Sequence, residues 1–154
     1  VAALKKKEVD LNEMVETIGN SFTLRVEHTG GHVYTEIAAV DSTIYVDEMH
    51  FQNVIFNLLD NAVKYTPSGG VVDLKITEYP SYLRLDVSDN GIGIPEEEQA
   101  KIFGRFYRGK QSAGVDGVGI GLYLTRDIVN KQNGYIKVAS DEKGTIFSLF
   151  LKKV

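Results

Sequence analysis

Cysteine is missing from the 154 residues, which removes disulfides and cysteine nucleophiles from consideration and suits a reducing cytoplasm. No apolar run approaches the roughly 20 residues that a bilayer-spanning helix needs. The opening Val1-Ala-Ala-Leu-Lys-Lys-Lys7 sets apolar residues before basic ones, the reverse of a signal peptide. An excess of positive charge is missing too. A net charge of −4 argues against broad binding to nucleic acid or anionic lipid, and leaves Arg105, Arg108 and Lys110 as the best local basic patch. Repeats and low-complexity tracts are also lacking. What remains is 43% hydrophobic and 25% charged, the balance of one folded globular domain long enough to bury its own core. The abrupt start at Val1 suggests a piece of a longer protein, so residues 1–9 are expected to be the remnant of an upstream connection and 10–154 the domain proper.

Asp10-Leu-Asn-Glu13 has capping-box spacing ahead of an apolar stripe at Leu11, Met14, Val15 and Ile18, which predicts a helix from about residue 11 to the mid-20s. After the break at Gly30-Gly31, His32 to Ile37 and Thr43 to Val46 read as short strands. Asp47 can cap a second helix, in which Phe51, Val54, Ile55, Leu58, Leu59 and Ala62 share one buried face. Thr66-Pro67-Ser68-Gly69-Gly70 ends it. Val72, Leu74 and Ile76, then Leu83, Leu85 and Val87, alternate as an antiparallel hairpin across Tyr79 to Tyr82. Pro95 opens a short helix with Glu96, Glu97 and Glu98 in its first turn, where the helix dipole favours carboxylates. Ile120, Leu124 and Ile128 space a third long helix ending at Asn133-Gly134, and strands at Tyr135 to Ala139 and Thr145 to Leu151 close the chain. Mixed helices and paired strands predict an α/β two-layer sandwich with helices on one face of the sheet.

The second helix carries a second stripe, Asn53, Asn57, Asn61 and Lys64. Asparagine is a poor helix former because its amide competes for backbone hydrogen bonds, and a merely solvated face is better served by lysine or glutamate. Amide oxygens suit a hard cation, and the lysine suits phosphate. Asp89 continues the alternation of Leu83, Leu85 and Val87 onto the buried face at a strand end, where a carboxylate needs a donor. Two readings of Asp89-Asn-Gly91-Ile-Gly93-Ile94-Pro95 stay open at this point: a structural turn whose own amides bond Asp89, or a loop whose backbone approaches a ligand. Gly117-Val-Gly119-Ile-Gly121-Leu122 opens the third helix, whose free amides can hold phosphate. It is not the dinucleotide fingerprint, because Leu122 and Leu124 stand where that motif needs glycine. Gly104 to Lys110 matches a P-loop until Gln111 occupies the serine or threonine position. His28, His32 and His50 lack metal-ligand spacing and a nucleophile partner.

In order along the chain, Asn57-Leu-Leu-Asp-Asn61-Ala-Val-Lys64-Tyr65, Asp89 to Pro95, Ile102-Phe103-Gly-Arg105-Phe106-Tyr-Arg108, Gly117 to Leu122 and Gly144-Thr145 resemble the N box, first glycine box, F box, second glycine box and closing Gly-Thr of histidine-kinase catalytic domains. The resemblance covers residue 10 to the end. It implies the Bergerat, or GHKL, fold, with a mixed sheet and a lid from about Arg108 to Gly117. It further implies that Asp89 accepts from the adenine amino group of ATP, helped by Thr145 directly or through water, with Gly91 and Gly93 letting the backbone approach the base, Tyr65 packing near it, and Ile94, Phe106 and Leu122 among the ATP-binding residues. Asn61 is implied as the magnesium ligand and Lys64 as a phosphate or ribose contact. Gly117, Gly119 and Gly121 are implied as amide donors to phosphate, and Arg105 and Arg108 as stabilisers of the γ-phosphate. Hydrolytic members resemble one another in carrying glutamate at the position of Asn57; an amide cannot be a general base, so the resemblance implies transfer to a protein histidine, with Asn57 orienting the acceptor or completing the metal shell. None of the three histidines sits in the family's acceptor pattern. The acceptor is therefore expected on separate dimerisation helices of the parent protein, with a response regulator downstream and this piece monomeric. Other GHKL ATPases, anti-sigma-type kinases and a non-catalytic nucleotide-gated module are the alternatives, and a membrane anchor in the parent is left open.

Overall fold

A computed structural model describes residues 3–104 and 118–154, and the side chains of residues 118–121 lie outside that description. The elements are β1 (Lys6–Asp10), α1 (Leu11–Glu27), β2 (His32–Ile37), β3 (Thr43–Asp47), α2 (Glu48–Lys64), β4 (Val71–Glu78), β5 (Tyr82–Asp89), α3 (Glu96–Gln99), α4 (Val118–Asn130), β6 (Gly134–Asp141) and β7 (Gly144–Lys152). A mixed five-stranded sheet runs β2-β4-β5-β7-β6, with β2 parallel to β4 and the other neighbours antiparallel. The expected two-layer α/β architecture is the one observed, with α1, α2 and α4 packed together and against the sheet.

The core lies where the two periodicities meet. On α2 the 3.6-residue repeat turns Phe51, Val54, Ile55, Leu58, Leu59 and Ala62 inward. On the sheet the two-residue repeat turns Val72, Leu74 and Ile76, then Leu83, Leu85 and Val87, then Phe147, Leu149 and Leu151 toward them. All fifteen of these side chains are essentially removed from water. The solvent side of β5 carries Arg84, Asp86 and Ser88 instead, so the alternation fixes the register absolutely: a one-residue slip would expose the core.

Upstream of α1 the chain forms a strand of its own. Lys6–Asp10 pairs antiparallel with β3, and Ile44 of β3 bridges in turn to Lys153, so this small second sheet is tied to the end of β7. Neither hydrophobic alternation nor turn chemistry signals a strand in Lys-Lys-Glu-Val-Asp; its partner supplies the pairing. Asp10 caps α1 as expected and also takes the Ser42 hydroxyl at 2.5 Å.

One buried carboxylate joins three parts of this frame. Asp47 accepts from the Lys5 amide at 2.8 Å and from the His50 amide at 3.1 Å, while its own amide donates to Gln132 Oε1, just beyond α4. His50, a bystander in sequence, has Nδ1 3.0 Å from the same carboxylate. The Lys5 amide first, then the His50 amide and ring, hold the Asp47 carboxyl down at about 2. A depressed folded pKa gives stability that is present above the ordinary carboxyl value near 3.8 and is lost as pH falls toward 2. Asp47→Ala should accordingly lower the urea midpoint at neutral pH and flatten its fall between those two pH values. Leu58→Ala, which empties core volume, should cost about 2–5 kcal/mol with no such change in pH profile. Urea titrations at a series of pH values check both, and an acid profile in Asp47→Ala identical to the parent's would refute the linkage.

Candidate functional site

The alternation of β5 delivers Asp89 to the helix-facing side of the sheet at the strand's C-terminal end, as the sequence predicted. Register pairs it with Thr145 on β7, and Thr145 in turn with Ser140 on β6. Three polar side chains therefore stand side by side on three strands, directly past the end of the apolar rows. Thr145 is buried; Asp89 and Ser140 are half-buried. The Asp89 carboxylate accepts from the Gly91 amide at 2.9 Å, so the structural-turn reading holds. It does not suffice. Burial pushes the Asp89 carboxyl up to about 6 although the Gly91 and Thr145 amides oppose the shift. The strand end thus holds a carboxylate with more acceptor capacity than its own loop can fill.

The loop after Asp89 is wedged from both sides. A β-carbon on Gly91 would lie 2.2 Å from the Tyr65 carbonyl oxygen, and the Ile92 amide donates to that same oxygen at 3.3 Å. Gly93 has φ +77°, and a β-carbon there would meet the Asp141 carbonyl oxygen at 2.1 Å. The loop accordingly rests on the C-terminal end of α2 and against the β6–β7 turn, a fit that other side chains deny. Ile94 packs on the core, and its peptide is held at both polar ends: its amide donates to Ser140 Oγ at 2.7 Å and its carbonyl accepts from Gln99 Nε2 at 2.9 Å. Ser140 and Gln99 were not among the residues singled out in the sequence. Serine beside a turn and glutamine in a short helix carry no motif, so spacing alone could not have marked them.

From Tyr65, next to the loop, α2 leads away from Asp89. Asn61 and Asn57 follow one and two turns up the same face, about 6 and 12 Å along the axis at 1.5 Å per residue. Both are half-buried, whereas Asn53 is exposed. Lys64 was expected at a phosphate or ribose; here its Nζ lies 3.0 Å from Asp60 Oδ2, while Arg25 of α1 takes Asp60 Oδ1 at 3.0 Å. Burial would raise the Asp60 carboxyl, but the Lys64 and Arg25 hydrogen bonds hold it below its ordinary value. Reaching a phosphate therefore requires Lys64 to leave this pair.

Gly119 and Gly121 lie in the first turns of α4, and Leu122 is buried in the core. Phe103 of the F-box stretch meets Phe147 edge-on with ring centroids 6.3 Å apart, and Arg126 lies over its ring. Arg105, Phe106, Arg108, Gly117 and the expected lid lie outside the described residues. Among the described residues no group of three His, Cys, Asp or Glu could hold a metal ion by itself, and no helix is long and apolar enough to cross a membrane.

A family model described as histidine kinase-, DNA gyrase B-, and HSP90-like ATPase matches residues 46–154. Sensor protein RprX of Bacteroides fragilis is 39% identical over 97% of this chain and 30% of its own length. Sensor histidine kinase Hik2 of Thermosynechococcus vestitus is 37% identical over 95% of this chain and 39% of its own. The chain thus spans about a third of the length of these relatives. The nucleotide-free catalytic domain of histidine kinase ThkA superposes with a TM-score of 0.87 at 26% identity, covering 97% of each chain. The family's match begins just before α2 and takes in every candidate site residue, and the fold is shared from end to end with a kinase catalytic domain: the chain belongs to the histidine kinase-, DNA gyrase B- and HSP90-like ATPase family.

Proposed function

We propose that this chain is the ATP-binding catalytic domain of a two-component sensor histidine kinase, acting in the cytoplasm and handing the γ-phosphoryl group of ATP to a histidine on the parent protein's dimerisation helices, from which a response regulator receives it. The observation that carries this over hydrolysis is Asn57, one turn before Asn61 on the same half-buried face of α2. Hydrolysis needs a group that takes a proton from water, and a carboxamide has no basic lone pair for it. Transfer to an imidazole needs chiefly alignment and charge neutralisation. The relatives bearing sensor-kinase names support the same reading.

In this reading the adenine lies over the Gly91–Ile94 loop with its amino group on Asp89 and Thr145, and Tyr65, Phe106 and Leu122 line the base pocket. The triphosphate runs along α2 past Lys64 toward Asn61 and Asn57, a length of about 12 Å that suits it. Asn61 would hold a magnesium ion, since a neutral amide oxygen is a hard donor of the kind that ion accepts beside phosphate and water. When bound, the ion offsets the charge of the phosphate oxygens. Gly117, Gly119 and Gly121 supply amides to the phosphates, and Arg105 and Arg108 meet the charge on the γ-phosphoryl oxygens. Asn57 orients the incoming imidazole; the bond from the γ-phosphorus to the bridging oxygen breaks as the bond to the ring nitrogen forms, and ADP leaves.

Two consequences follow for Asp89. An amino donor favours the ionised carboxyl, so ATP affinity should be flat above a pH of about 6 and fall about tenfold per unit below it. Asp89→Asn should weaken ATP binding by about ten- to a hundredfold at neutral pH, by loss of a hydrogen bond to a charged group, and should abolish that pH dependence. The same variant should make the empty domain more stable at neutral pH by about 1–3 kcal/mol, because a carboxyl whose folded pKa is raised costs stability once pH has passed it. Calorimetric ATP titrations and thermal melts across pH test the pair; unchanged affinity in a folded Asp89→Asn protein would remove the adenine assignment.

Asn57→Ala should cut phosphoryl transfer to separately supplied acceptor helices by a hundredfold or more, the size of a lost positioning contact, while changing ATP affinity little. Asn61→Ala should lower magnesium-dependent binding and transfer together. Single-turnover transfer rates and nucleotide affinities, with magnesium varied, separate the two. Transfer at the parent rate in Asn57→Ala would remove the argument for a kinase over an ATPase.

A further inference from the structure

The final turns of α2 give the Lys64 side chain two directions. About 100° of turn per residue sets Asp60 and Asn61 on either side of it, four and three residues back, and both spacings make neighbours on a helix surface. The ammonium takes the Asp60 side, with Nζ 3.0 Å from Oδ2. The other carboxylate oxygen belongs to α1, whose Arg25 brings Nη2 to 3.0 Å from Oδ1. That guanidinium is seated: its carbon lies 4.7 Å from the centre of the Phe22 ring, and Phe22 packs on Phe56 of α2 with ring centroids 5.1 Å apart. Asp60 therefore joins the two helices through Arg25 and holds Lys64 on its own helix, one cation to each oxygen.

The two cations are not equivalent. Asp60 is half-buried, and the hydrogen bonds from Lys64 and Arg25 outweigh the burial that pushes its carboxyl up. Lys64 is the last residue of α2, and its unbranched stem reaches either side. Arg25 stays on Asp60 from the neighbouring helix whichever side the lysine takes. When Lys64 crosses to the Asn61 side, Arg25 keeps the carboxylate paired; without Arg25 the same move would strand a half-buried charge.

We propose that Asp60 and Arg25 are positioning residues that set the affinity for the triphosphate through Lys64: Asp60 holds the ammonium off the phosphates, and Arg25, by keeping the carboxylate paired, lowers the cost of releasing it. This rests on the phosphate contact given to Lys64 under the proposed function and adds to it what governs that contact. A ligand that needs Lys64 on the Asn61 side binds with an affinity reduced by the fraction of time the lysine spends there. The effect grows with the number of phosphates the lysine can meet, so it separates ATP from AMP, which a general loosening of the helix pair would weaken alike.

The test measures ATP and AMP affinities by calorimetry for the parent chain, Asp60→Asn, Arg25→Gln, Lys64→Met and the pairwise combinations with Asp60→Asn, with thermal melts of each nucleotide-free protein. Asp60→Asn should tighten ATP by about two- to threefold, the size of a released i, i+4 ion pair, and Arg25→Gln should weaken it by about two- to fivefold, with AMP changed less in both. In the Asp60→Asn background Arg25→Gln should have no further effect, and in the Lys64→Met background Asp60→Asn should lose its gain. A gain that persists without Lys64, or a loss from Arg25→Gln that persists without Asp60, would be the bare field of the altered charge and overturns the proposal. So do equal changes for ATP and AMP, and so does weaker ATP binding in a folded Asp60→Asn protein, while a Lys64→Met variant that still loses ATP affinity leaves the phosphate contact standing. Unchanged ATP affinity in Lys64→Met would overturn that contact and the proposal together, without touching the role given to Asp89.

Discussion

The rest of the structure depends on the rotational phase of α2. Six apolar side chains on one face of this helix are buried against the rows of β4, β5 and β7, and rotating the helix by one residue would trade them for polar groups at a cost of several kcal/mol. That phase has a second effect. With Phe51 to Ala62 locked inward, Asn57 and Asn61 have no freedom in where they emerge: they line the edge of the buried face, half-covered, one turn apart. A hydrophobic constraint thus sets the position of the polar groups nearest the candidate chemistry. The Tyr65 carbonyl, at the end of the same helix, receives the Ile92 amide, so the loop after β5 takes its place from α2 as well.

The sheet supplies the complementary constraint. Its apolar rows end at Val87 and Phe147, and the next position on each strand of the same face is Asp89 or Thr145, followed across the ladder by Ser140. A change from apolar to polar within one step of the pleat places a carboxylate partly out of water without a full set of donors. The fold bears this because the neighbouring pairs hold the strands in register, and the cost is concentrated at a single end of a single sheet. Local destabilisation in a frame otherwise well packed is what a binding site built on rigid strands requires.

The fold was legible in the sequence wherever periodicity and turn chemistry agreed. Asp47 as the cap of α2, the break at Pro67 to Gly70, the β4–β5 hairpin and the closing hairpin all appear close to their expected bounds, and Asp89 emerges on the predicted face. Strand β1 was not legible, since Lys-Lys-Glu-Val-Asp has neither alternation nor β-formers enough to declare itself, and what makes it a strand is the exposed edge of β3. Among site residues, Asp89, Gly91 and Gly93 could be read because their chemistry is unusual for where they stand. Ser140, Gln99 and the Asp60 clasp on Lys64 could not, because serine, glutamine and aspartate are ordinary in such places and acquire meaning from contacts between 4 and 46 residues apart in sequence. The contact of the His50 ring with the carboxylate that caps its own helix was not legible either.

The pairing of β5 with β7 has a consequence for the way the chain comes to its final state. Strands β4 and β5 can zip across a short turn, and so can β6 and β7, but β5 meets β7 only by closing a loop of 56 residues, the separation of Asp89 from Thr145. Local hairpins are quick to form and this closure is slow by comparison. Since Asp89 lies on one hairpin and Thr145 on the other, neither hairpin by itself holds the polar strand end. That polar end comes into being at the moment of closure and is lost at the moment of opening. Any ligand bound across that end would accordingly be a clasp on the whole sheet, adding about 2.7 kcal/mol to its resistance to unfolding when present at a hundred times its dissociation constant.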